Sequence, residues 1–207
     1  MQKLSQEDIQ KNSMVYGRMA SLNNPDFWFG SHKEDNYERM SIIAELANAT
    51  LENAKCLDVG CGTGDLSKFL RKKGIAEYLG VDIYGPSLEL ARKNHQNELF
   101  LFIDILEWGP DDIFDYIFCS GALSTRLSSD NYDFIESMVS KMWSLAKTGL
   151  VFNLLIDDYL ENNDTEIFRY SLEKVLDICN KVAKEGRVSY KTDGDEAHFY
   201  LYRALVV

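Results

Sequence analysis

Residues 55–64 read KCLDVGCGTG, and the stretch divides into two parts with different physical meaning. Lys55–Gly60 is a short apolar run of the length that forms a buried strand. Gly60, Gly62 and Gly64 then alternate with Cys61 and Thr63. That spacing removes Cβ atoms from a turn and lets a ligand come against the backbone. Leu66, Phe69 and Leu70 follow at helical spacing, so the turn joins a strand to a helix. In open α/β sheets ligands bind beyond the carboxyl ends of the strands. The amides of such a turn, with the start of the helix, suit an anionic group such as a carboxylate.

Outward from this turn the chain keeps alternating. Glu77–Asp82 (EYLGVD) reads as a second strand, and Gly85-Pro86 opens a helix with Leu88, Leu90 and Ala91 inward. Leu99–Ile103 and Asp115–Cys119 are the third and fourth strands. A helix over Tyr132–Ala146 carries the stripe Phe134, Ile135, Met138, Val139, Met142 and Leu145, and Leu150–Ile156 is the fifth strand. Glu166–Ala183 reads as helical, with Phe168, Leu172, Val175, Cys179 and Val182 on one face. Two last strands, Arg187–Lys191 and Ala197–Leu205, are joined by a hairpin turn at Thr192–Asp195. The pattern predicts an α/β fold: a Rossmann-like, seven-stranded, mostly parallel sheet with an antiparallel last strand and helices on both faces. One domain over 39–207 follows an N-terminal helical segment or lid over 1–38.

Composition narrows the partners. The 207 residues carry 22 basic and 33 acidic side chains, a net charge of −11, and 45% of the chain is hydrophobic. Such a surface repels a phosphate backbone and disfavours nucleic acid as a partner. The four cysteines, Cys56, Cys61, Cys119 and Cys179, fit no zinc spacing and fall in apolar stretches, so no metal site is expected and reduced, buried thiols are. The first twenty residues lack the apolar core of a signal peptide, and no apolar run reaches membrane-span length. A cytoplasmic protein without membrane contact is the expectation; the oligomeric state is not legible.

Spacing also chooses between two cofactor classes. A dinucleotide fingerprint counted from Gly60 requires glycine at 65, where the chain has Asp65, and an acid there faces a pyrophosphate. Asp58, two residues before Gly60, is equally ill placed for a diphosphate and well placed for a cationic amine. A zwitterion joined to a nucleoside satisfies both. CLDVGCGTG resembles the first motif of class I S-adenosylmethionine-dependent methyltransferases, and the likeness extends over about 39–205. It implies S-adenosyl-L-methionine as cofactor, with Asp58, Gly60, Cys61, Gly62 and Gly64 around its methionine part. The resemblance also implies that Asp82, with Ile83 beside it, takes the ribose hydroxyls at the end of the second strand. Asp104 and the Ile105 amide then meet adenine, Ser120 and Gly121 flank the methionine moiety, and Arg39 receives its carboxylate. Cys61 is expected to be passive.

The acceptor is narrowed mainly by what is missing. Family members that methylate exocyclic amines carry an N/D-P-P-Y/F turn after the fourth strand, where this chain has Ser120-Gly121-Ala122-Leu123. No cysteine fits pyrimidine C5 chemistry. O- or N-methylation of a small molecule is therefore the leading expectation, with protein or RNA methylation, or a non-catalytic cofactor-binding module, as alternatives. The aromatic stretch Asn24–Tyr37 contains Trp28 and Phe29, read either as a lid over the methyl group or as an anchor for the N-terminal segment. His32 and Tyr37 are the candidates for a catalytic base. Arg126 faces an anionic acceptor or solvent, Asn153 holds a sheet edge or points to the site, and His95 and His198 are structural.

Overall fold

A computed structural model describes residues 5, 7–11, 14, 15, 27, 28, 31–47, 51–110, 113–157 and 166–203, with backbone alone at 27, 28 and 31–37. Two short strands, β1 (Phe27–Trp28) and β2 (Ser31–His32), pair antiparallel in a small separate sheet. Helix α1 (Lys33–Leu46) follows directly and runs unbroken through positions 38 and 39, where the domain boundary was expected. The segment before residue 39 therefore contains a strand pair as well as helix.

The main sheet is made of β3 (Lys55–Val59), β4 (Glu77–Asp82), β5 (Leu99–Phe102), β6 (Phe114–Cys119), β7 (Ala146–Leu155), β8 (Gly186–Asp193) and β9 (Glu196–Arg203). Their order is β5-β4-β3-β6-β7-β9-β8. The pairs from β5 to β7 are parallel, and β9 runs antiparallel to both β7 and β8. The expected seven-stranded sheet with an antiparallel last strand is present. Gly194, with φ 57°, opens the two-residue connection between β8 and β9, where a hairpin of the II′ kind wants glycine.

Strand residues alternate between two cores, as a pleat buried on both faces demands. Cys56, Tyr78, Phe100, Tyr116 and Phe118 pack under α1, α2 (Leu66–Lys72) and α3 (Gly85–Asn94). Leu57, Val81, Ile117, Cys119 and Phe152 pack on the opposite face under α4 (Asn131–Leu145) and α5 (Leu172–Val182). All six residues of the α4 stripe are buried, and Asp130 caps that helix by accepting the Tyr132 and Asp133 amides. In α3, Leu88 and Ala91 face inward as expected, but Leu90 is 40% exposed and Ser87 takes the inner position. Leu90 lies one residue, about 100° of helical turn, from the buried Ala91 and so is rotated off the inner face.

The expected helix over Glu166–Ala183 is shorter at its start. Ile167 bridges Thr125 and Tyr170 bridges Ile156, so 166–170 is extended and α5 begins after Ser171. The apolar pattern of Ile167, Phe168 and Tyr170 fits helix or strand alike, and the aromatic cluster of Tyr132, Phe168 and Tyr170 decides it.

Near the start of the chain, Ser5 Oγ accepts the Asp8 amide in a capping contact at the helical residues 7–11. The buried Asp8 carboxylate then accepts the Ser128 amide at 2.6 Å and the hydroxyls of Ser5, Ser128 and Ser129. Burial disfavours its charge, but these donors outweigh that and hold the carboxyl below its ordinary range. This one side chain ties the start of the chain to the segment that follows β6.

Candidate active site

The glycine turn leaves the carboxyl end of β3, the strand from which the sheet grows in both directions, and so lies at a topological switch point. Gly60, Gly62 and Gly64 all have positive φ, at 68°, 52° and 78°. At Gly60 the need for glycine is also steric, because a Cβ would stand 2.4 Å from the Ala122 Cβ on the loop after β6. The Gly60 and Cys61 amides donate to the Val81 carbonyl at 2.8 and 3.1 Å, which pins the turn to β4.

Asp82, at the end of β4, completes the turn. Its Oδ2 accepts the Gly62 amide at 2.8 Å and its Oδ1 accepts the Tyr84 amide at 2.8 Å. Burial raises its carboxyl, and the amides of Gly62, Tyr84 and Ile83 pull partly back. Each oxygen keeps further acceptor capacity beyond these amides. Asp58 lies deeper, buried, with the Tyr78 hydroxyl donating to its Oδ2 at 2.6 Å. Burial pushes its carboxyl up to about 7; the Tyr78 hydroxyl lowers it and the neighbouring Asp82 charge raises it.

Asp104 sits beside this pair because the Ile103 amide donates to the Asp82 carbonyl at 3.0 Å. Its Oδ1 accepts the Leu106 amide at 2.9 Å, and its carbonyl accepts the amides of Glu107 and Trp108. Ile83 is half-buried, whereas the Ile105 side chain is buried in the α4/α5 core. The Cys61 thiol is buried, and burial with the Asp58 and Asp82 charges pushes its titration far above the ordinary range, so it stays neutral. Asp65 is turned back into its own loop, accepting from the Thr63 hydroxyl at 2.8 Å and from Lys68 Nζ at 3.0 Å. His95 lies behind it, its Nδ1 3.3 Å from Ser67 Oγ.

The loop after β6 forms the opposite wall. Ser120 is half-buried, and the Gly121 amide donates to Asn153 Oδ1 at 2.8 Å. Asn153 Nδ2 donates in turn to Glu196 Oε2 at 3.0 Å, and Glu196 Oε1 lies 3.3 Å from Arg39 Nη1. Asn153 thus reaches the loop that was expected to flank the cofactor. Glu196 carried no sequence signal, since nothing marks one acid after a hairpin turn as paired with a residue on α1. Tyr78 was equally invisible, being one aromatic residue in an apolar strand. Arg126 lies over the Phe168 ring at 5.1 Å and donates to the Ile167 carbonyl, so it serves the local packing. His198 is buried in β9 with a neutral imidazole, pushed down to about 4 by burial and the Arg39 charge. Phe29 and the side chains of Trp28, His32 and Tyr37 lie outside the described residues.

Residues 56–149 match the family model described as a methyltransferase domain. Over 136 residues the chain is 35% identical to the ubiquinone biosynthesis O-methyltransferase of Pasteurella multocida (strain Pm70), which is 58% of this chain and 53% of that protein. It is 30% identical over 118 residues to the trans-aconitate 2-methyltransferase of Escherichia coli O1:K1 / APEC, covering 56% of this chain and 45% of the other. The chain spans about half the length of these relatives. Among solved structures, the DhpI–SAH complex superposes with a TM-score of 0.71 at 15% identity, over 97% of this chain and 99% of that one, a likeness of fold. Residues 56–149 thus match a methyltransferase domain, and the seven-stranded sheet that carries them has the Rossmann-like topology of solved methyltransferase structures. No helix among the described residues is long and apolar enough to cross a membrane.

Proposed function

We propose that this chain transfers a methyl group from S-adenosyl-L-methionine to an oxygen or nitrogen of a small molecule. The observation that carries the reading is the Asp82 carboxylate, held against the glycine turn by the Gly62 amide with acceptor capacity to spare. Two vicinal ribose hydroxyls need such a fixed pair of acceptor oxygens. The glycine turn holds positive φ at Gly60, Gly62 and Gly64, a shape that a side chain at these positions would strain. Asp58 sits beneath it and becomes fully ionised beside a cationic amine. Arg39 takes the carboxylate end, Asp104 and the Ile105 amide take adenine, and Ser120 with Gly121 borders the methionine part. When bound, the cofactor supplies an electrophilic methyl group on a sulfonium centre. The protein's share is to align the acceptor, exclude water and accept a proton where the acceptor carries one. His32 and Tyr37 are the residues proposed for that proton.

The relatives named for ubiquinone biosynthesis and trans-aconitate methylation support a small-molecule acceptor. The net charge of −11 opposes nucleic acid, and the buried, reduced cysteines suit the cytoplasm. Titration calorimetry with S-adenosylhomocysteine, the demethylated cofactor, tests the site: micromolar binding to the wild type is expected, and no binding overturns the reading. A cell lysate incubated with the protein and methyl-tritiated cofactor tests the acceptor class. Tritium in a small-molecule product separated chromatographically from unreacted cofactor is expected; labelled protein or RNA would replace the small-molecule reading.

A further inference from the structure

Four elements distant in sequence are linked through the Glu196 carboxylate of β9: Arg39 of α1 and Asn153 of β7 contact it directly, and Asn153 carries the link to the Gly121 amide in the loop after β6. The Arg39 and Glu196 side chains are only 11% and 19% exposed. Burying a charged pair is no efficient way to stabilise a fold, because desolvation offsets most of the attraction. The position of this pair suggests another use. Arg39 Nη1 stands 3.0 Å from where a Cβ on Gly121 would be, so the guanidinium lies directly against the loop proposed to border the methionine part. Gly121 itself has φ 68°.

We infer that Glu196 is a positioning residue for the carboxylate end of the cofactor: it fixes the Arg39 guanidinium and, through Asn153, the Gly121 backbone before the ligand arrives. The inference rests on the reading given under Proposed function. A guanidinium has five N–H donors, so Arg39 can hold Glu196 and a ligand carboxylate together. Fixing it in advance removes side-chain ordering from the binding step. Arg39 is the favourable charge beside Glu196, and it works against two neighbouring acids. Burial raises the Glu196 carboxyl, as do Asp195 and Asp193 on the β8–β9 hairpin, while Arg39 and the Asn153 hydrogen bond lower it. His198 Nε2 is 3.7 Å from Glu196 Oε2 on a neutral ring.

The test compares two ligands that differ only at the proposed contact: S-adenosylhomocysteine and its decarboxylated form. Calorimetry on Glu196→Ala is expected to show about tenfold weaker binding of S-adenosylhomocysteine and a change under about twofold for the decarboxylated ligand. Glu196→Gln, which keeps an acceptor for Asn153 without the charge, is expected to fall between wild type and Glu196→Ala. Arg39→Ala should show the same selectivity, and adding Glu196→Ala to it should weaken binding no further. Equal weakening of both ligands would reduce Glu196 to a structural residue, and unchanged binding of both would also overturn the inference. If wild-type protein binds neither ligand, the methyltransferase reading itself falls.

Discussion

The two walls of the candidate site are built by different means. On the wall formed by β3, β4 and β5, polar groups are satisfied close by in sequence. Asp82 and Gly62 are 20 residues apart, as are Asp58 and Tyr78, and Asp104 reaches Leu106 two residues on. On the wall formed by the loop after β6, contacts span 32 residues from Gly121 to Asn153, 43 from Asn153 to Glu196, and 120 from Asp8 to Ser128. A local wall can be carried in one βαβ unit and reads as a motif. The other exists only once β7, β9 and the N-terminal segment have docked, so no short motif marks it.

Asp82→Ala should break the local wall outright. It removes the acceptors offered to the ribose and the anchor of Gly62, hydrogen bonds to a charged group worth about 1.5–3 kcal/mol each. Calorimetry should show about 100-fold weaker S-adenosylhomocysteine binding; a loss below about threefold would remove Asp82 from the site.

The walls touch where Gly60 meets Ala122, and Gly60→Ala should destabilise the fold by about 2 kcal/mol in urea unfolding through clash and a disfavoured φ. Adding Ala122→Gly should recover only the clash component. Full recovery would show that backbone conformation contributes nothing there.

A smaller effect distinguishes Asp58. With its carboxyl at about 7, cofactor affinity should rise about tenfold from pH 6 to pH 8, because binding a cationic amine requires the ionised form. Tyr78→Phe removes a hydrogen bond that favours the ionised form, so the midpoint should move upward; a downward move would contradict the geometry.

Asp8→Ala should weaken the distant wall least, by about 1–2 kcal/mol at pH 7. The folded-state pKa of Asp8 lies below its unfolded value, so its contribution is present above the unfolded value near 4 and is lost as pH falls through the folded one. The stability difference between wild type and variant in urea should therefore shrink below pH 4.

The same contrast explains what could be read beforehand. The turn, Asp58, Asp82 and Asp104 were legible because strand ends and glycine spacing are short-range signals. Asn153 stood out as a polar residue in LVFNLLI, yet its partner was hidden in register. β7 and β9 pair Asn153 with His198 and Leu155 with Glu196, and only that alignment puts the Asn153 amide within reach of the Glu196 carboxylate. The extended run at 166–170 was misread because its apolar spacing fits both periods, and contacts with Thr125 and Ile156 decide between them. Leu90 was placed inside by hydrophobicity alone, whereas helix rotation puts Ser87 there.

The outer strand β5 carries one further consequence. Leu99 and Phe102 are 56% and 66% exposed on a strand with a neighbour on one side only, the kind of edge on which foreign strands nucleate. The strand offers only four residues, and Arg92 occupies the Phe100 carbonyl through Nη2 at 2.9 Å and Nε at 3.3 Å. Solubility on this flank thus depends on brevity and one arginine, so truncating Arg92 should favour aggregation while leaving the candidate site intact.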